Sequence, residues 1–212
     1  MSNGRLIYID EDMDDIELFQ EFIDEKFDLS ILKIENDDDL DSIAEEIISS
    51  NPDAIITDYL LSEKARVKFD GQALIEAIQS RNKYLPCFLL TSHAPDALNA
   101  THDVRLVHSK SIPFGGDDSK ELQSIFLKQI EKLIFSFRKN LEDAVSELDT
   151  LIAKPTDQLT ALERQRIIEL DNFIESHGLS SHPIPDALKD DRTLELLTQL
   201  VQDIDELIKG EK

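Results

Sequence analysis

The sequence predicts an α/β domain built on a parallel sheet, followed by an all-α region. Between residues 5 and 115, short apolar runs alternate with longer amphipathic stretches. This pattern is typical of strands separated by crossover helices that cover both faces of a parallel sheet. The composition then changes, because residues 117–154 contain neither glycine nor proline. We therefore expect two domains in the 212-residue chain, 1–116 and 117–212.

Five short runs rich in β-branched or apolar residues are the strand candidates. They are residues 6–9, 30–34, 54–57, 87–90 and 105–107. Helices are expected between them: after Asp12, over 40–48, over 71–79 and, as a short segment, after Pro95. Apolar residues recur at helical spacing in the first two of these segments, and the pair Asn51-Pro52 ends the second.

The second domain is predicted to begin with one long helix. Its apolar residues recur at steps of three and four and form one stripe, from Leu122 to Leu151. At 1.5 Å per residue this helix would measure roughly 55 Å, longer than the preceding domain is wide, so its distal half needs another packing partner. Thr160 and Glu163 form a capping-box pattern that opens a second helix, which Gly178 would close, and a third begins at Asp186. We expect a dimerisation or partner-docking module.

Charge and composition exclude several classes of protein. The formal net charge of -23 repels nucleic acid, and neither domain has the basic helix of a DNA-binding output domain. The first residues lack the basic flank and apolar stretch of a secretion signal, and no segment is long and apolar enough to span a membrane. We therefore expect a cytoplasmic protein. The single cysteine, Cys87, excludes an internal disulfide and a cysteine-rich zinc site, and its apolar surroundings predict a buried strand residue.

Polar residues stand where the predicted strands end. Asp10 and Glu11 follow the first strand, Asp58 the third, Thr91 the fourth, and Lys110 comes after the fifth. Because ligands bind outside the carboxyl ends of parallel strands, these side chains should converge at one edge of the sheet. Clustered carboxylates repel one another unless a hard divalent cation such as Mg²⁺ neutralises them. Such a site suits phosphoryl transfer to an aspartate, with a lysine balancing the phosphoryl charge.

With these residues, the segment from about 5 to 115 resembles the receiver domain of two-component response regulators. The resemblance implies a five-stranded (βα)5 sheet of flavodoxin-like order. It also implies that a histidine kinase or a phosphotransfer protein supplies the phosphoryl group. Finally, it implies that the domain catalyses its own phosphorylation and dephosphorylation and is not otherwise an enzyme.

The resemblance also assigns roles to individual residues. Asp58 matches the phosphoacceptor, and Mg²⁺ would be bound by Asp10, Glu11, Asp58 and the backbone carbonyl of Leu60. Thr91 matches the switch hydroxyl and Lys110 the lysine that contacts the phosphoryl group. Val107 occupies the position where the family usually has an aromatic switch residue, so the usual coupling from threonine to aromatic ring is not expected here.

Two neighbouring segments leave alternatives open. The loop after Asp58 is longer than is usual in the family and lacks its common proline. It carries Lys64, Arg66 and Lys68, which could steer a phosphodonor or an acidic partner or could simply be solvated charges. After the first strand, Asp12, Asp14 and Asp15 are expected to be helix-capping or solvated acids rather than ligands.

Four functions therefore remain compatible with the sequence. The first is a phosphorylated regulator that signals through protein contacts of its C-terminal helices, as a homodimer, by docking a partner of unknown identity, or both. The second is a phosphate sink that drains a kinase. The third is a degenerate receiver used only for binding. The fourth is a phosphatase of the haloacid-dehalogenase type, in which Asp10 would be the nucleophile.

Overall fold

The computed structural model describes residues 4–23, 27–93, 97, 101, 103–115, 119–155 and 158–177. Its strands are β1 (Gly4–Asp10), β2 (Phe27–Lys33), β3 (Ala54–Asp58), β4 (Cys87–Thr91) and β5 (Val107–Ser109). Its helices are α1 (Met13–Phe22), α2 (Leu40–Ser49), α3 (Gly71–Gln79), α4 (Ser111–Phe114), α5 (Lys120–Ile152) and α6 (Ala161–Glu175).

The five strands form one parallel sheet in the order β2-β1-β3-β4-β5. This is the flavodoxin-like order that the resemblance implied. The chain moves outward from β1 in one direction to β2 and in the other to β3, so the strand order reverses beside β1. A crevice opens at such a reversal, outside the carboxyl ends of the strands.

Two hydrophobic layers cover the faces of the sheet, because successive strand residues point to opposite sides. On one face, Ile9, Ile55 and Leu89 pack in a cluster with the apolar residues of α2 and α3. On the other face, a second cluster joins strand residues to α1 and to the first half of α5. Its members include Tyr8, Ile56, Phe88, Phe19, Phe126, Ile130 and Ile134. Cys87 is buried, as expected for this strand.

The strand boundaries differ from the prediction, and they differ most in β2 and β5. β2 begins at Phe27 rather than at residue 30. It is an edge strand with several exposed residues, so its apolar pattern is weaker than that of the central strands. β5 begins at Val107 rather than at residue 105, because residues 104–106 form a 3-10 turn. The side chain of Asp103 caps this turn by accepting a hydrogen bond from the backbone N–H of Arg105 at 3.1 Å.

Helices α1, α2 and α3 lie where the sequence placed them. The short helix expected after Pro95 falls largely outside the described residues, as does the helix expected from Asp186. The long helix is confirmed as α5, a single helix of 33 residues. In the part of the chain that the structure describes, no helix combines the length and hydrophobicity needed to cross a membrane.

The described residues fall into two compact units, 4–142 with 176–177, and 143–175. Within the second unit, the predicted capping box opens α6: the N–H and hydroxyl of Thr160 each donate to a Glu163 carboxylate oxygen at 2.9 Å. The N–H of Glu163 donates back to the Thr160 hydroxyl at 3.3 Å. The functional division expected at residue 116 stays a prediction, and Gly178 lies outside the described residues.

Candidate functional site

Three carboxylates meet at the carboxyl ends of β1 and β3. Asp10 is the last residue of β1, Glu11 follows it, and Asp58 is the last residue of β3. Since these two strands are neighbours, their ends lie side by side, and one oxygen from each carboxylate lies within 4.8 Å of the others. All three residues are buried. The sheet thus brings together the acids that the sequence placed at its edge.

Glu11 is the least well compensated of these acids. Its Oε2 atom is buried and has no hydrogen-bond partner among the described residues. Burial raises the pKa of Glu11 to about 7, and the neighbouring charges of Asp10 and Asp58 add to the effect, against an opposing backbone hydrogen bond. A cluster of hard oxygen donors with one unpartnered buried oxygen fits Mg²⁺, which prefers such ligands.

Lys110 joins this cluster from the end of β5. Its Nζ atom lies 2.7 Å from Asp58 Oδ1 and 3.3 Å from Asp10 Oδ2. The backbone N–H of Lys110 donates to the carbonyl of Thr91 at 2.9 Å, which ties the end of β5 to β4. Burial disfavours the ammonium, but the charges of Asp58 and Asp10 outweigh burial and raise the pKa of Lys110. The lysine is therefore a fixed cation against the predicted phosphoacceptor.

Backbone contacts fix the position of Asp58. The N–H of Leu60 donates to Asp58 Oδ2 at 2.8 Å, while the carbonyl of Leu60 accepts a long hydrogen bond from the Glu63 N–H at 3.4 Å. Burial raises the pKa of Asp58, against the lowering effect of Lys110. Behind Asp58, the first residue of α3 is Gly71, where a Cβ atom would lie only 1.9 Å from the Asp58 carbonyl oxygen. The close approach of α3 to the end of β3 therefore requires glycine.

Replacing Gly71 by alanine is expected to lower the free energy of unfolding by about 2 kcal/mol, since added atoms in a packed site force the backbone to shift. The atom that the new methyl group meets is backbone, which yields less easily than a flexible side chain. Urea unfolding of both proteins measures the effect. An unchanged unfolding midpoint would contradict the close packing of α3 on Asp58.

Thr91 and Val107 lie on the neighbouring strands β4 and β5. Thr91 ends β4, is almost fully buried, and its hydroxyl accepts a hydrogen bond from the His93 N–H at 2.8 Å. Val107 begins β5, two residues before the strand end, and packs against the core on the α2 and α3 face. The roles predicted for Thr91 and Val107 in a switch stay predictions.

The described residues give the arrangement that the resemblance implied: strand order β2-β1-β3-β4-β5, acids after β1 and β3, and a lysine after β5. The five-stranded flavodoxin-like fold predicted from the sequence is confirmed. The sequence matches no family model and no curated protein.

Several solved structures are similar to this chain. One is a crystal structure of NtrX from Brucella abortus in complex with ADP, 18% identical, covering 72% of this chain and 34% of that one with a TM-score of 0.47. Another is the solution structure of the apo receiver domain of nitrogen regulatory protein C, 18% identical, covering 65% of this chain and 99% of that one with a TM-score of 0.42. This chain thus spans about a third of the length of the NtrX chain.

Two residues of the site were missed by sequence reasoning. The Tyr8 hydroxyl donates to Asp10 Oδ2 at 2.6 Å, and its ring stacks on Phe19 with centroids 3.9 Å apart. Asp15, expected to be a capping or solvated acid, instead forms an ion pair with Lys110. Spacing could have found Tyr8, which stands two residues before Asp10 and so lies on the same strand face, whereas no local pattern joins Asp15 to Lys110.

Asp12 is confirmed as a helix-capping acid. Its side chain accepts a hydrogen bond from the Asp14 N–H at 3.1 Å at the start of α1. The Asp12 carboxylate also forms an ion pair with Lys64, from the long loop after Asp58. The hydrogen bond from Lys64 lowers the pKa of Asp12. The loop lysine is therefore exposed and is also paired with an acid that lies next to the site.

Proposed function

We propose that this protein is a response regulator of a two-component phosphorelay, phosphorylated on Asp58 in a reaction that depends on Mg²⁺. One observation carries the proposal: the buried Asp10, Glu11 and Asp58 carboxylates share one edge of the sheet with Lys110, whose Nζ lies 2.7 Å from Asp58 Oδ1. If these residues served only as a structural ion pair, their buried oxygens would be expected to have hydrogen-bond partners. Instead, Glu11 Oε2 has none among the described residues, and this supports a cluster that binds a cation.

The chemistry follows from the side chains. A carboxylate oxygen of Asp58 attacks the phosphorus atom of the donor, the bond from phosphorus to the leaving group breaks, and the leaving group departs with the electron pair. Lys110 donates hydrogen bonds to the transferred phosphoryl oxygens. Asp10, Glu11, Asp58 and the Leu60 carbonyl would hold Mg²⁺, which supplies positive charge that offsets the phosphoryl oxygens. The domain catalyses this transfer and the later hydrolysis on itself, without turnover of a separate substrate.

A histidine kinase or a phosphotransfer protein would supply the phosphoryl group in the cytoplasm. The output would pass through protein contacts of the helical region, as a homodimer or with another protein, rather than through DNA. Two observations support this output. The net charge of -23 opposes binding to nucleic acid. In addition, α5 exposes large apolar side chains, at Leu122, Ile125, Leu133 and Phe135.

The test is incorporation of labelled phosphate from acetyl phosphate, with Mg²⁺ or with excess EDTA. Wild type should take up label in the alkali-labile form expected of an acyl phosphate, and the label should be lost with EDTA or in Asp58→Asn. The matched control is Asp39→Asn, which removes a carboxylate from the N-cap of α2, where asparagine caps equally well. It should label like wild type.

Other results distinguish the remaining functions. Label that survives in Asp58→Asn and is lost in Asp10→Asn would favour the phosphatase. Wild type that stays unlabelled, with its own kinase as well as with acetyl phosphate, would identify a degenerate receiver. If the protein takes up label but phosphorylation changes neither its oligomeric state nor its binding to a partner, the phosphate sink is favoured.

A further inference from the structure

Lys64 stands at the mouth of the carboxylate site. Its ammonium forms an ion pair with Asp12, the residue that follows the Asp10-Glu11 pair. The N–H of Asp12 in turn donates to Asp10 Oδ1 at 2.9 Å, so only one residue separates the lysine from the acids of the site. The side chain of Lys64 is 55% exposed, so it faces the solvent from which a donor must arrive.

The loop that carries Lys64 is anchored on both sides of it. Leu61 and Ala65 are buried in the core. The N–H of Arg66 donates to the Asn36 side chain at 2.9 Å, which holds the loop to the segment before α2. Because the backbone on both sides is anchored, the Lys64 ammonium reaches a smaller range of positions than it would on an unanchored loop.

The acids at the start of α1 repel a phosphorylated donor, and the Lys64 ammonium offsets part of this repulsion. Asp12 caps α1, Asp14 and Asp15 lie in its first turn, and the field of these acids beside the site repels a phosphate dianion. Lys110 does not meet the donor first, because its side chain is only 12% exposed and its ammonium contacts Asp10, Asp15 and Asp58. Lys64 is the more exposed partner of its ion pair with the half-buried Asp12, so water reaches the lysine and a phosphate group can replace the carboxylate.

Resting on the proposed function, we propose that Lys64 is a substrate-positioning residue that binds the phosphoryl group of the incoming donor and orients it toward Asp58. With acetyl phosphate, the Lys64 ammonium exchanges Asp12 for a phosphoryl oxygen and keeps its protons. Asp58 forms the new bond to phosphorus, the bond from phosphorus to the bridging oxygen breaks, and acetate leaves with the electron pair. The ligand class is a phosphoryl donor with a dianionic phosphate.

The full-length chain tests this through the dependence of the labelling rate on acetyl phosphate concentration. Lys64→Ala should lower the second-order rate constant about three- to tenfold, through a higher half-saturating concentration, as expected for an exposed charge pair of this kind. Lys64→Arg should restore most of the rate. Lys68→Ala, which removes the same charge from the same loop, should label like wild type. High salt should narrow the difference between wild type and Lys64→Ala, because salt screens exposed charges.

A second measurement keeps the two proposals separable. Acetonylphosphonate has the shape and charge of acetyl phosphate but a carbon in place of the bridging oxygen, so it binds without transfer. Its affinity should fall about three- to tenfold in Lys64→Ala and stay unchanged in Lys68→Ala. If wild type takes no label but the affinities differ in this way, the proposed function fails and the role of Lys64 in binding stands. Equal rates and equal affinities in wild type and Lys64→Ala, or equal losses in Lys64→Ala and Lys68→Ala, would overturn the inference.

Discussion

Replacing Lys110 by methionine is expected to lower the free energy of unfolding by about 3 kcal/mol at pH 7 in metal-free solution, because buried carboxylates would lose their cation. Lys110 contacts Asp10, Asp15 and Asp58, and the first of these is completely buried. Methionine keeps much of the side-chain volume, so the change removes mainly charge. Urea unfolding in EDTA measures the loss. Labelling by acetyl phosphate should also fall sharply, since the phosphoryl oxygens lose a donor.

A double-mutant cycle controls for simple loss of packing. In Asp58→Asn, the acid that lies 2.7 Å from Lys110 is replaced by a neutral side chain. Adding Lys110→Met to this variant should therefore lower the free energy of unfolding by less than Lys110→Met does in wild type. Lys68→Met on the loop should leave stability unchanged. Equal costs of Lys110→Met in the two backgrounds would contradict an electrostatic role for the lysine.

Replacing Arg138 by alanine is expected to lower the free energy of unfolding by about 2 to 3 kcal/mol, because it would leave a buried carboxylate without its cation. Arg138, on α5, binds Asp53 through two guanidinium nitrogens, with Nε at 2.7 Å from Oδ1. Asp53 directly precedes β3, its side chain is 8% exposed, and it also accepts the Arg5 N–H at 2.7 Å. Bidentate pairs of this geometry are strong. The pair therefore holds α5 in one position relative to the start of β3.

The pH dependence of this pair has a definite sign. Burial would raise the pKa of Asp53, but the hydrogen bonds from Arg138 and Arg5 outweigh it and hold the pKa below its ordinary value of 3.8. A depressed folded-state pKa adds stability that is fully present above about pH 4 and is lost as the pH falls through the folded-state pKa. The stability of wild type should therefore fall more steeply than that of Arg138→Ala in this acidic range, as measured by urea unfolding.

The second unit offers a matched control for Arg138. Arg166 also binds its partner, Glu147, through two nitrogens, each at 2.8 Å. Both of these side chains are more than 40% exposed, however, so solvent competes for the pair. Arg166→Ala should therefore lower the free energy of unfolding by about 0.5 kcal/mol or less. A loss as large as that of Arg138→Ala would mean that burial is not what makes the Asp53 pair stabilising.

Local patterns were enough to predict most of the fold and the central acids of the site. Short apolar runs placed the three inner strands and helical spacing placed α1 and α2, because these elements bury their apolar residues in regular order. The predicted boundaries differ most from the structure at the two edge strands, β2 and β5, where fewer residues are buried. Asp10, Glu11 and Asp58 could be predicted because a strand end is a local feature, and parallel strands align their ends without further information.

The sequence by itself determined the acids at the carboxyl ends of β1 and β3, the long helix and the capping box, since each depends on residues close together in the chain. Only the tertiary structure decided which distant groups meet. Lys64 and Asp12 are separated by 52 positions, Arg138 and Asp53 by 85, and Lys110 and Asp15 by 95. In the same way, the His177 ring stacks between Tyr84 and Phe137 in the first unit, although its sequence neighbours indicate only the end of a helix. Such contacts depend on how helices and loops pack on the sheet, and the spacing of residues along the chain carries no information about that packing.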